Sequence, residues 1–217
     1  MKRFGFISLS TVLLLGAGCA PAAQVFDSEV SQTRGEESSL TFSYPDQEEE
    51  TSMPSWEFPG VLSSEQITGK QVRISTAKGD IVFELFADTA PATVSNFVYL
   101  TQGGYYNGVT FHRREEGFVI QGGDPNGNGT GGPGYEFPDE LDDDYRYERG
   151  IVAMANRGPS TNGSQFFVML GDTPLPKAYT IFGRVTEGME VVDEIAVGDV
   201  MTTVAVEEVS QIEQVTQ

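Results

Sequence analysis

From Lys70 onward the chain offers only short runs of alternating apolar and polar residues, each closed by glycine or another turn former, and that rhythm restricts it to a mainly β architecture. The segment "QVRISTAKGDIVFELF" puts Val72, Ile74, Ile81, Phe83 and Leu85 on alternate positions around a Lys-Gly turn, which predicts a β-hairpin. Further strands are predicted in "VTFHR", "FVIQGG", "GIVAMAN", "SQFFVML", "YTIFGRV" and the closing segment "TTVAVEEVSQIEQV". Two stretches break the rhythm. "TAPATVSNFVYLTQGG" carries helix start and stop signals, with Thr89 as N-cap, Pro91 in the first turn and a terminal glycine pair, and "MEVVDEIAVG" predicts a second helix. Many short strands and two isolated helices predict a closed eight-stranded antiparallel barrel with the helices over its openings.

Ahead of this domain the composition changes. "MKRFGFISLSTVLLLGAGC" has two basic residues, a short apolar run and then small residues, the layout of a secretory signal over residues 1–18. The apolar run is too short to span a bilayer, which takes about 20 residues. "LGAGC" resembles the lipobox of bacterial lipoproteins, so Cys19, the only cysteine, is expected to carry lipid and to anchor an exported protein to a bacterial membrane. With one cysteine there is no intramolecular disulfide to form. Residues 19–66 are polar, acidic and without periodicity, and are predicted to be a flexible tether. Within it, Trp56 is open to two readings, an aromatic docked on the domain or a partner, and an unstructured linker residue. The folded domain is expected over residues 67–217.

The formal charge is −19 at pH 7 and is uneven. Between Gln24 and Glu65 ten acids face Arg34 alone, and from Glu187 to the end there are eight acids and no base. A polyanion is repelled by such a chain, which excludes nucleic acid as a partner, and anionic lipid head groups are equally poor partners. The chain is expected to be a monomer.

The densest chemistry lies in "FHRREEGFVIQGGDPNGNGTGG", residues 111–132, which holds the only histidine, His112. Its "DPNGNG" opens like a calcium loop, but Tyr135 stands where a bidentate glutamate is required, and no Gly-Lys-Ser/Thr follows to make a phosphate loop. One histidine with a cysteine at the far terminus builds neither a zinc site nor a nucleophile-base pair. No metal and no cofactor are expected. The acidic run "DELDDDY" reads as solvated surface.

Four segments, "FHRREEGFVIQGGD", "GTGGPGYEFPDE", "MANRGPSTNGSQFFVML" and "YTIFGRV", resemble in order and spacing the cyclophilin family of peptidyl-prolyl cis-trans isomerases, from about Lys70 to the C-terminal strand. The resemblance implies an eight-stranded antiparallel barrel capped by two helices, the same architecture that the strand pattern predicts. It also implies an activity that needs no nucleophile. Rotation about a peptide bond is resisted by about 18–20 kcal/mol because nitrogen shares its lone pair with the carbonyl, and X-Pro bonds exchange over tens to hundreds of seconds. A catalyst need only bind the twisted state better than the planar one. Lowering the barrier by about 7 kcal/mol accelerates the rotation roughly 10⁵-fold.

The resemblance places Arg113 at the catalytic arginine, a rigid and permanently charged donor to the proline nitrogen as its lone pair localises. It implies that Gln121 orients Arg113 and the substrate carbonyl, and that Phe118, Val119, Phe167 and Leu175 wall a pocket for the proline ring. The backbone of Asn156 would pair with the residue before proline, and Arg157 would border the same subsite and favour acidic residues there. Gln165 and Tyr179 fall on the rim, Phe111 and Phe166 in the packing behind it, and His112 is a structural neighbour of Arg113. Arg114, Glu115 and Glu116 replace apolar residues and proline common in the family, which predicts a charged, exposed turn. Pro174 stands at the tryptophan that favours cyclosporin, which predicts weak inhibition. Proline-containing peptides and folding proteins are the implied partners. The other function considered is a non-catalytic proline-peptide-binding or chaperone module on the same barrel.

Overall fold

The computed structural model describes residues 55–209. The signal at 1–18, Cys19, the tether up to residue 54 and the last eight residues lie outside them. Eight strands form a single antiparallel sheet: β1 (Lys70–Thr76), β2 (Gly79–Leu85), β3 (Arg113–Glu115), β4 (Val119–Gly122), β5 (Ile151–Met154), β6 (Phe166–Met169), β7 (Ile181–Glu187) and β8 (Thr203–Glu208), in the order β3-β4-β6-β5-β7-β2-β1-β8. The expected closed barrel is therefore corrected to an open, curled half-barrel, because β3 and β8 stand at opposite ends of the ladder. The "VTFHR" segment lies at one end of the ladder. Only its last residue enters β3, while the residues before it exchange backbone hydrogen bonds with the approach to β8, Met201 N–H to the Val109 carbonyl (2.9 Å) and Phe111 N–H to the Asp199 carbonyl (2.9 Å).

Among the described residues three helices rather than two accompany the sheet: α1 (Ser64–Ile67), α2 (Pro91–Gln102) and α3 (Met189–Glu194). The extra one is a single turn in the segment expected to be tether. Ile67 is buried, and Trp56, Phe58 and Leu62 pack on the main core, with Phe58 stacked on Phe137 at 5.0 Å and Trp56 edge-on to Tyr99 and Tyr105. Residues 56–66, expected to be tether, thus pack with the domain. Of the two readings of Trp56, the structure shows the docked one.

Thr89 does not cap α2. Ala90 occupies the N-cap position without a side-chain bond, and the free N–H groups of the first turn go instead to Glu140, whose carboxylate accepts from Ala92 N–H (2.9 Å), Thr93 N–H (2.8 Å) and the Thr93 hydroxyl (2.7 Å). A carboxylate suits this place because the helix dipole adds to the unsatisfied donors. Its neighbours in the acidic run are occupied too: Asp139 accepts from Asn162 Nδ2 (2.8 Å) and Ser160 N–H (2.8 Å), and Asp143 pairs with Lys177 (2.5 Å). Reading "DELDDDY" as solvated surface is corrected for Asp139, Glu140 and Asp143 and holds for the exposed Asp142 and Asp144.

The middle strands bury both faces, which is why they read as continuous apolar runs. Ile120, Val152, Met154, Phe166, Val168 and Phe182 join the main core with Phe97 and Leu100 of α2, together with Phe111. Their neighbours of opposite parity, Val119, Ile151, Ala153, Phe167, Met169 and Ile181, form a second cluster on the other face. That second face carries the candidate site.

Candidate active site

Strand register assembles the site. Arg113 on β3 is opposite Gln121 on β4, Gln121 is opposite Phe167 on β6, and Phe167 is opposite Ala153 on β5. Cross-strand partners point to the same side, so one row at the strand spacing of about 4.8 Å carries a cation, an amide and an aromatic ring. The β3–β4 hairpin then supplies the next wall. Its turn runs through Glu116, Gly117 and Phe118, with Gly117 at φ 68°, and Phe118 N–H donates to the Glu115 carbonyl at 3.0 Å. This brings the Phe118 ring to 5.9 Å from the Arg113 guanidinium carbon.

Of the residues expected around the proline ring or its rim, Phe118, Val119, Phe167, Leu175 and Tyr179 belong to the second apolar cluster, while Gln165 borders a polar cleft. Val119 and Phe167 are buried, the others half-buried, and Tyr179 meets Phe167 edge-on at 5.6 Å. Tyr179 is itself fixed by Tyr147, whose hydroxyl donates to the Tyr179 carbonyl at 2.8 Å and accepts its N–H at 3.1 Å. Leu175 also lines a separate cleft of about 450 Å³ with Pro174, Tyr145 and Tyr147.

Arg113 is held on two edges. Nη1 donates to Gln121 Oε1 (3.0 Å), while Nε and Nη2 both go to Glu115 Oε1 (3.1 and 2.5 Å). Of five guanidinium N–H groups, this leaves one on each Nη free for a substrate. Gln121 Nε2 donates to Gln165 Oε1 (3.0 Å), and Gln165 Nε2 to the carbonyls of Gly129 (3.0 Å) and Gly131 (2.8 Å). The charged turn expected at 114–116 is partly corrected: Arg114 and Glu115 are strand residues, and Arg114 reaches away from the site to the Ile195 carbonyl at the end of α3 (2.8 Å).

Beside the apolar pocket lies a polar cleft of about 650 Å³, bordered by Gln121, Asn156, Arg157 and Gln165 and walled by the glycine-rich segment from Gly129 to Gly134. Asn156 anchors its own loop, with Nδ2 donating to the Ala178 carbonyl (2.8 Å). Arg157 is exposed and already paired, Nη2 to Glu136 at 2.7 Å. The glycine-rich wall and Glu136 are site residues that the sequence reading did not assign, although the motif containing them was visible. Its density of glycine, which lets backbone carbonyls approach a side chain such as Gln165, was the available signal.

His112 has both ring nitrogens buried without a hydrogen-bond partner. Burial pushes its pKa down, the Arg113 charge adds to this, and nearby Asp124 opposes it. Among the described residues, no three of His, Cys, Asp and Glu converge as metal ligands. A half-barrel that sets a fixed cation beside an aromatic-walled apolar pocket suits one class of protein: a catalyst of conformational change in a bound peptide.

Comparison with known proteins gives the particular family. Residues 71–217 match the family described as cyclophilin type peptidyl-prolyl cis-trans isomerase/CLD. The chain is 43% identical over 154 residues to the probable peptidyl-prolyl cis-trans isomerase A of Mycobacterium leprae, covering 62% of this chain and 85% of that protein. It is 47% identical over 135 residues to the peptidyl-prolyl cis-trans isomerase of Helicobacter pylori, covering 60% and 83%. A Cryptosporidium parvum cyclophilin type peptidyl-prolyl cis-trans isomerase, solved in the presence of the dipeptide Ala-Pro, superposes with a TM-score of 0.60 at 36% identity, over 64% of this chain and 99% of that one. This chain belongs to the cyclophilin-type peptidyl-prolyl cis-trans isomerase family, and its enzymatic class is peptidyl-prolyl isomerisation.

Proposed function

We propose that the chain is an exported, lipid-anchored, monomeric isomerase that accelerates X-Pro rotation in proteins folding outside the cytoplasm. In this reading the proline ring enters the pocket of Phe118, Val119, Phe167 and Leu175, and the Asn156 backbone pairs with the residue before it. The two free N–H groups of Arg113 meet the amide. In the planar ground state the proline nitrogen has no lone pair to offer; as the bond twists the pair localises, and a donor already in place gains a hydrogen bond only then. Gln121 holds the guanidinium so that no reorganisation is needed at that moment. The observation that carries the reading is the row Arg113–Gln121–Phe167, with Phe118 beside it.

The test is isomerisation of a short Ala-Pro peptide by the full chain and its Arg113→Ala variant. A loss of at least about hundredfold, roughly 2.7 kcal/mol, is expected. Equal rates overturn the mechanism, and no rate above background in either protein favours the peptide-binding module. Export and anchoring rest on the first 19 residues alone. Incorporation of labelled fatty acid that is lost in Cys19→Ala is expected, and labelling that persists in that variant refutes it.

A further inference from the structure

The loop "DPNGNGTGG", which the sequence reading left without a role, turns its acid inward onto its own backbone. Asp124 is 1% exposed, and its carboxylate accepts N–H groups from Asn126 (2.8 Å), Asn128 (2.9 Å) and Gly129 (2.5 Å). The loop therefore presents donors to an anion it already owns. The fit at the loop's far end is close, since a Cβ on Gly131 would stand 2.0 Å from Asp124 Oδ1.

The same loop supplies the two carbonyls, Gly129 and Gly131, that receive Gln165 Nε2. This matters because the polarity of the chain of amides leading to Arg113 is set from both ends. A guanidinium can only donate, so Gln121 must turn Oε1 to Arg113 and Nε2 to Gln165. Gln165 must then accept with Oε1 and donate with Nε2, which the two carbonyls permit in only one orientation. If the loop shifts, Gln165 is free to flip, Gln121 loses its acceptor, and the guanidinium keeps only its Glu115 contact.

We propose that Asp124 is a positioning residue for isomerisation: by pinning the 126–131 loop it fixes the Gln165 and Gln121 amides and, through them, the plane of the Arg113 guanidinium. This rests on Arg113 as the reacting cation. Asp124 touches no substrate in this scheme, so its removal affects the chemical step more than binding. The carboxyl is suited to the task at neutral pH. Burial pushes it up, but the three N–H groups and the nearby His112 more than offset this and hold it below the usual carboxylate range.

The experiment uses the full chain with Asp124→Asn and Gly131→Ala, each alone and combined with Arg113→Ala, assayed on an Ala-Pro peptide well below the thermal midpoint measured for each. Asparagine keeps one acceptor but faces the loop N–H groups with its own NH₂, and the alanine methyl displaces the carboxylate from the other side. Expected is a fall in kcat of about tenfold, about 1.4 kcal/mol, with KM changed less than about twofold, and no further fall in the Arg113→Ala background. Either variant folded with wild-type kcat overturns the proposal, as does an equal further loss without Arg113, which marks a general structural effect. If Asp124→Asn does not fold, Gly131→Ala decides by the same criteria. Full activity in Arg113→Ala alone overturns the reading of the site itself, which separates the two failures.

Discussion

Glu115 takes two of the five N–H groups of Arg113 onto one carboxylate oxygen, from a position two residues along the same strand. Side chains at i and i+2 share a face, so this acid borders the proline pocket and lowers the positive potential that Arg113 presents to a substrate. With both partners roughly half-exposed the pair is screened and worth at most about 1 kcal/mol. Glu115→Gln keeps an acceptor for Nε and removes the charge. Its kcat/KM is expected to rise by up to about fivefold at low salt, and the difference from wild type to shrink at high salt, as steady-state kinetics across ionic strength will report. A lower kcat/KM in the variant at low salt contradicts this.

Glu140 caps α2 from across the chain, so Glu140→Ala leaves two first-turn N–H groups and a hydroxyl without their acceptor. A loss of about 1–2 kcal/mol is expected, a fall in thermal midpoint of about 2–8 °C, with kcat unchanged because the helix packs on the main core and not on the site's face. Calorimetry together with peptide kinetics checks both halves.

His112 is the only histidine, so it is the sole imidazole that can make stability depend on pH near neutrality. Burial lowers its folded pKa below the unfolded value of about 6.5, so the unfolded chain takes up the proton first. Its contribution is therefore complete above that value and declines as pH falls through the folded pKa. Asp124 adds a second decline with the same sign below about pH 4, because its folded pKa is also depressed. His112→Gln is expected to flatten the slope of thermal midpoint between about pH 5 and 7 and to leave the lower decline in place.

Arg157 was expected to favour acidic residues before proline, and its pairing with Glu136 predicts a muted preference. Wild-type turnover of matched Glu and Lys peptides should differ by about twofold, and Glu136→Gln should widen the gap to about fivefold in favour of Glu, within the worth of an exposed pair. An unchanged ratio in the variant removes Arg157 from specificity.

Local pattern was informative where the physics is local. The hairpin β1–β2 was legible because Val72, Ile74, Ile81, Phe83 and Leu85 must point one way from a pleated ribbon, and all five are in the main core. The middle strands were legible as strands, but not for which residue faces which side, because both faces are buried. Phe166 and Phe167 are adjacent aromatics; the family resemblance put the first in the packing and the second in the pocket, local pattern could not, and sheet pairing supplies the reason. The cap of α2 was misread at Thr89 because the true partner, Glu140, lies 48 residues from Ala92.

The sequence by itself determined the strand rhythm, the turn positions and the motifs that mark the family, since each follows from backbone preference and side-chain alternation within a few residues. Tertiary structure alone decided that the sheet stays open between β3 and β8, that Trp56 and Phe58 dock on the domain, and that a buried aspartate stands behind the arginine's amide relay. The reason is that a hydrogen-bond donor or an apolar face states what it needs but not which distant group will meet it. That pairing is settled only when the whole chain closes around its core.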